Sequence, residues 1–186
     1  GNDFMDSVTS NIWCGTSGSS SVGLTCSETH IDGEAAIPYF INVGALDADD
    51  IKSHYSTTGP NIWVSSYGGE SGNNQSISSG STYGGNKPAI MTVDVGSCSK
   101  GYVNSGNSPG FGDNTYKNAF NSGSHAENSD CNYTSTFNGT SSAAPNVAGV
   151  VALMLKANPT LKWRDIKDIL LTTSRKVDSS RSLTIQ

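Results

Sequence analysis

The stretch Asn138-Gly-Thr-Ser-Ser-Ala-Ala-Pro-Asn-Val-Ala-Gly149 holds the residue best placed for covalent chemistry. A Gly-Thr turn delivers Ser141, and small and apolar residues then run from Ala143 to Leu155. That run is apolar nearly all round, which predicts a helix through the middle of a core. Ser141 then stands at the mouth of the helix, where unpaired backbone N–H groups and the positive end of the macrodipole favour developing negative charge. This is the environment of a nucleophile that passes through an oxyanion. Pro145 is expected at the edge of the first turn, where a missing N–H does least harm. Gly139 allows a tight approach, and Gly149 is expected to let another backbone pack close. The plain alternative for Ser141 is an N-cap serine on a core helix. Gly15-Thr16-Ser17 repeats the tripeptide, but Gly18-Ser19-Ser20-Ser21 comes next without an apolar helix, so that copy reads as loop.

The longer pattern Gly139-Thr140-Ser141-Ser142-Ala143-Ala144-Pro145-Asn146-Val147-Ala148-Gly149 resembles the nucleophile motif of subtilisin/kexin-type serine proteases. Downstream, Lys156–Ser174 is similar to the next segment of that family and closest to its kexin/furin branch. Upstream, Ile37–Leu46 with Ser53–Pro60 resembles a core strand and its following loop, and Asn61–Ser66 the next strand. The resemblance covers most of the chain except two loop-rich stretches, at about 3–30 and 67–130.

The resemblance implies roles for particular residues. Gly1-Asn2 is similar to the turn that presents an asparagine amide to the reacting carbonyl oxygen, beside the backbone N–H of Ser141. Thr140 is expected to support the Asn2 side. Asp3 stands where the family has a glycine after that asparagine. Ile31–Ile37 resembles the kexin/furin segment whose Asp-Gly supplies an acidic residue to the substrate pocket. Asp32 would then select Arg or Lys by charge-assisted pairing; a turn aspartate ahead of a strand explains the same residue. No histidine lies in the His-Gly-Thr context of the family. His30 and His125 fall in loops and His54 precedes a turn, so all three read as structural or surface residues. Asp94-Val95-Gly96 faintly resembles the family's aspartate motif but comes in the wrong order, and reads as a strand end. The base and its orienter are therefore expected upstream of Gly1. The expectation is the C-terminal half of a subtilisin-like catalytic domain across 1–186, with no efficient protease activity alone.

Composition bounds the remaining choices. The 186 residues suffice for one domain with a sizeable core. The 21 glycines and only 15% charged residues indicate a loop-rich globular protein. A net charge of −5 argues against nucleic acid or an anionic membrane as partner. No apolar run approaches the roughly 18 residues of a membrane span. Cys14, Cys26, Cys98 and Cys131 lack zinc or thioredoxin-like spacing. Their even number in Gly/Ser/Asn-rich loops suggests disulfides, with Cys14–Cys26 and Cys98–Cys131 favoured among three connectivities, and a secreted, extracellular protein. Asn74, Asn132 and Asn138 head sequons.

The elements that must position the site are read from periodicity. Residues 37–46 read as a strand buried on both faces of a parallel sheet, 61–66 and 89–95 as further strands, and 96–135 as a long loop region. Asp47-Ala-Asp-Asp50 reads as a solvated acidic turn, without the spaced oxygen ligands of a calcium loop. Thr57 stands near where furin-like proteins place a calcium-binding glutamate, so that site is not carried over. Structural calcium in the parent is left with unknown ligands, and the chemistry needs no cofactor. Asn158-Pro159 ends the central helix, and Thr160 is expected to cap a second helix bearing Trp163, Ile166, Ile169 and Leu170. Trp163 reads as core packing.

The fold expected is α/β, a three-layer subtilisin-like architecture with a parallel sheet, represented by its C-terminal half. The function expected is a serine endopeptidase forming an acyl-enzyme on Ser141, with a preference for a basic residue before the scissile bond. Its partners would be a peptide substrate, the upstream half of the same domain, and a prodomain, accessory domain or chaperone. Two alternatives come from other classes: a catalytically inactive protease-derived binding module, and a disulfide-bonded β-rich adhesion domain.

Overall fold

The computed structural model describes residues 1–2, 33–70, 87–103 and 120–177. The chain divides into two units, one of Gly1–Gly68 with Gly139–Gln186 and one of Gly69–Asn138.

In the first unit, strand β1 (Asn42–Leu46) pairs in parallel with β2 (Ile62–Tyr67). A parallel pair needs a crossover between its strands, and residues 47–61 supply one without a helix. The Asp47 carboxylate folds it back by accepting the N–H groups of Asp49 (2.8 Å) and Ile51 (3.0 Å). The acidic turn is therefore not simply solvated: Asp47 is buried, and Asp50 takes a left-handed φ of 63°. β1 is also shorter than its apolar run. Residues 37–40 form turns instead, held by Ile37 N–H to Glu34 O and Phe40 N–H to Ile37 O. Pro38 explains the difference, since it brings no N–H to a ladder and favours turns.

Helix α1 (Thr140–Ala157) and helix α2 (Trp163–Thr173) complete this unit. Val147 of α1 joins Ile166 and Leu170 of α2 in a buried cluster, against which Val43 of β1 and Val64 of β2 pack. This mixture of a parallel sheet and helices is the expected α/β class. Two details of α1 differ from expectation. Pro145 lies in the second turn, so the Ser141 carbonyl has no i+4 N–H to accept. The helix is also buried on one face only: Ser142, Ala143 and Val147 are covered, while Val150 and Leu153 (66% exposed) are not. The described residues offer it one sheet and one helix, which cannot cover a cylinder. Gly149 likewise has nothing within 4 Å of an added Cβ, so no described backbone packs there.

Helix α2 begins at Trp163, with Lys162 rather than Thr160 at the N-cap position. The Asp165 carboxylate reaches back to the Lys162 N–H (2.8 Å), half of a capping box. Thr160 is occupied earlier in the chain, where its N–H and hydroxyl both donate to Asn158 Oδ1. Trp163 is half-buried and meets Tyr39 edge-on at 4.9 Å between ring centroids. Lys167 is only 6% exposed. Its ammonium donates to the carbonyls of Pro38 (2.7 Å) and Phe40 (3.0 Å) and lies 4.2 Å from the centre of the Trp63 ring. Burial pushes its pKa down, and the carbonyl dipoles and ring face offset part of the cost of burying the charge.

The second unit contains β3 (Ile90–Val93), antiparallel to β4 (Tyr133–Phe137). Two single-turn 3₁₀ helices, Phe120–Ser122 and Ala126–Asn128, precede β4. Cys98 and Cys131 are joined by a disulfide with Cα atoms 5.0 Å apart. Cys14 and Cys26 lie outside the described residues. No helix among the described residues is long and apolar enough to cross a membrane.

Two charged contacts of the first unit bear on stability. Lys167→Met is expected to lower the unfolding free energy by about 1–3 kcal/mol, because two carbonyls lose a charged donor; an unchanged urea midpoint would contradict that. Asp50 accepts the Tyr67 hydroxyl and Arg175 (2.7 Å each), and these hold its pKa below the ordinary carboxylate value. A depressed folded pKa contributes stability above the unfolded value that is lost as pH falls through the folded one. Asp50→Asn is therefore expected to flatten the acid limb of a thermal-melting profile, whereas parallel limbs would count against the contact.

Candidate active site

Helix α1 starts without a side-chain cap of its own. Gly139 occupies the N-cap with φ 114°, a region that L side chains rarely adopt. Ser141 is thus the second residue of the helix and exposed, which removes the simple N-cap reading of that serine. Its backbone N–H belongs to the first turn, whose donors have no partner within the helix. The neighbouring donors are used otherwise: Ser142 N–H and Ala143 N–H reach the Gly139 carbonyl at 3.0 and 3.4 Å.

The missing cap comes from the far end of the sequence. Asn2 Oδ1 accepts the Thr140 N–H at 2.8 Å and the Thr140 hydroxyl at 2.9 Å. A backbone N–H can only donate, so the oxygen of the carboxamide must face Thr140. The donor left on Asn2 is its NH₂ group, Nδ2. An added Cβ at Gly139 would stand 3.1 Å from that nitrogen, a tight contact on top of a φ that L side chains rarely adopt. The structure therefore brings together Asn2, Thr140 and Ser141, the first separated from the other two by most of the chain. Two N–H donors and a hydroxyl at a helix start are suited to stabilising negative charge on a carbonyl oxygen during attack by the serine.

Asp32 and His30 fall outside the described residues. His54 stacks edge-on against Tyr55, with ring centroids 5.3 Å apart. His125 caps the Ala126–Asn128 turn by accepting the Glu127 N–H. Asp94 comes directly after β3 and accepts the N–H groups of Val95 and Val103, so its carboxylate closes a loop. No group of three or more His, Cys, Asp or Glu side chains that could hold a metal occurs among the described residues. In the acidic turn, Asp47 accepts backbone N–H groups and Asp50 pairs with Tyr67 and Arg175.

One contributor carried no local signal. Tyr55 sits in a polar Ser-His-Tyr-Ser-Thr-Thr stretch, yet its hydroxyl accepts the Gly139 N–H at 2.8 Å. Only the three-dimensional approach of residues 55 and 139 reveals it.

Comparison with known proteins identifies the family. Residues 26–186 match the model of the Subtilase family. The extracellular serine protease of Aeromonas sobria is 36% identical over 137 residues, covering 74% of this chain and 19% of that protein. The chain thus spans about a fifth of that relative's length. Neuroendocrine convertase 2 of Drosophila melanogaster is 56% identical over 43 residues, or 23% of this chain and 7% of the relative. The crystal structure of the Aeromonas sobria serine protease superposes with a TM-score of 0.66 at 30% identity, covering 86% of this chain and 23% of the other. The complex of that protease with its chaperone gives 0.55 at 32% identity, with 75% and 20% covered. The helix start, the α/β architecture and the family match converge, and this chain belongs to the subtilase family.

Proposed function

We propose that this chain supplies the nucleophile and the oxyanion donors of a serine endopeptidase. The Ser141 hydroxyl attacks the carbonyl carbon of a peptide bond, and its proton passes to a histidine base. The carbonyl π pair moves onto oxygen, where Ser141 N–H and Asn2 Nδ2 donate to it. As the C–N bond breaks, the histidine returns the proton to the leaving amine, and water hydrolyses the acyl ester by the same route. Thr140 holds the Asn2 carboxamide in the donating orientation. The observation that carries this reading is the double acceptance at Asn2 Oδ1, which commits the oxygen and leaves the NH₂ as donor.

The histidine and its aspartate belong to an upstream half of the same catalytic domain, with 1–186 forming the downstream part and 3–30 and 67–130 its loop-rich excursions. The apolar face of α1 that the described residues leave uncovered, with Val150 and Leu153, supports that assignment, since such a face is costly to leave in water. Without that half the chain does not hydrolyse peptides efficiently. Asp32 selects a basic residue before the scissile bond by charge-assisted pairing, as the resemblance of Ile31–Ile37 to the kexin/furin segment implies. Secretion accords with the Cys98–Cys131 disulfide and with an extracellular relative. A chaperone or prodomain accompanies maturation, as one relative is solved with its chaperone.

These roles separate in the kinetics of the full-length protein on peptide anilides. Ser141→Ala is expected to abolish acyl-enzyme turnover, and wild-type rates in that variant would sink the proposal. Asn2→Ala is expected to lower kcat about 10²–10³-fold with KM little changed, as for a donor engaged mainly in the transition state. Asp32→Asn is expected to reduce the preference for Arg over Leu before the scissile bond by about tenfold or more, about 1.4 kcal/mol; an unchanged ratio would return Asp32 to a turn residue.

A further inference from the structure

Tyr55 is a buried polar group that the acyl-transfer scheme does not use. It is 9% exposed and packs in a cluster with Ala45 of β1 and Ala143 of α1. Its hydroxyl donates to the Gly68 carbonyl at 2.9 Å and accepts the Gly139 N–H at 2.8 Å. The Gly139 N–H also reaches the Gly68 carbonyl at 3.1 Å. Three groups thus close a small ring that joins the residue after β2 to the residue before α1. A satisfied phenol in a core needs only one of these bonds; the second ties it to the peptide that opens the nucleophile helix.

The surrounding packing leaves this ring little freedom. An added Cβ at Gly68 would lie 2.6 Å from Ala45 Cβ, 2.8 Å from the Gly139 carbonyl and 2.9 Å from the Tyr55 hydroxyl. The backbones at 68 and 139 therefore touch, with the phenol keyed beside them. Gly139 in turn directs the first turn of α1. Its carbonyl accepts from Ser142 and Ala143, and Thr140, its neighbour, carries both bonds to Asn2. A small rotation of the Gly139 peptide would swing the Ser141 N–H and shift the Asn2 amide together.

We propose that Tyr55 is a positioning residue for the oxyanion site. Its hydroxyl locks the Gly139 peptide and so sets the Ser141 N–H and, through Thr140, the Asn2 amide. The proposal rests on the acyl-transfer reading above. Its physical basis is the steep dependence of oxyanion stabilisation on donor placement, where small misplacements far from the bond-making atoms still reduce the rate.

The test is Tyr55→Phe in the full-length protein, which keeps the ring and removes the hydroxyl. Rates are referred to active sites titrated with a fluorophosphonate, well below the denaturation midpoint. The expected result is a fall in kcat of about tenfold with KM within about twofold. In an Asn2→Ala background the same change should cost about threefold or less, because the two residues act on one donor set. A kcat per titrated site equal to wild type would assign Tyr55 to stability alone and overturn the proposal. An equal loss in both backgrounds would overturn the claimed link from Tyr55 through Thr140 to the Asn2 amide, confining its effect to the Ser141 N–H. Failure of the underlying reading looks different: wild-type protein without a titratable serine, or full activity in Ser141→Ala.

Discussion

The arrangement depends on how one helix start is satisfied. An α-helix leaves its first N–H groups without internal acceptors, and most helices answer with a Ser, Thr, Asp or Asn at the N-cap. Here Gly139 occupies that position with a positive φ and offers no side chain. Its own N–H goes to Tyr55 and Gly68, and the N–H of Thr140 goes to Asn2. Capping from a distance leaves the mouth of the helix unobstructed by its own sequence. It also means that the geometry around Ser141 is set by residues 2, 55 and 68 as much as by its neighbours.

The packing beneath explains why this helix start is held in place. Ala143 and Val147 anchor α1 to the sheet and to α2, and Asn146 adds a bond to the Tyr67 carbonyl at 3.1 Å. At the other end, Lys167 of α2 gathers the turns at Pro38 and Phe40 ahead of β1. Both strands and both helices of this unit therefore share one packed cluster. The face of α1 that points away from these contacts remains apolar and uncovered among the described residues.

Local periodicity makes the two helices and three of the strands legible, because each is written within a dozen or so residues. The mixed pattern around Ser141 is legible for the same reason. Long-range facts are not. The contact of Asn2 with Thr140 is accessible only through family resemblance, and Tyr55 leaves no trace in a polar stretch. Boundaries fail where a single residue overrules a pattern: Pro38 cuts short the strand read at 37–46, and Asp165 sets the N-cap of α2 at Lys162 in place of Thr160. The all-round apolarity of α1 reads as complete burial, but sequence reports how apolar a face is and not whether anything lies against it.

The central claim is that Ser141 is an activated nucleophile, and covalent labelling tests it most directly. The full-length protein would be treated with a fluorophosphonate and digested, and the modified peptide mapped beside a Ser141→Ala control. The account predicts a single phosphonylated site at Ser141, absent from the control. A folded protein that remains unlabelled, or one labelled at another residue, would contradict it.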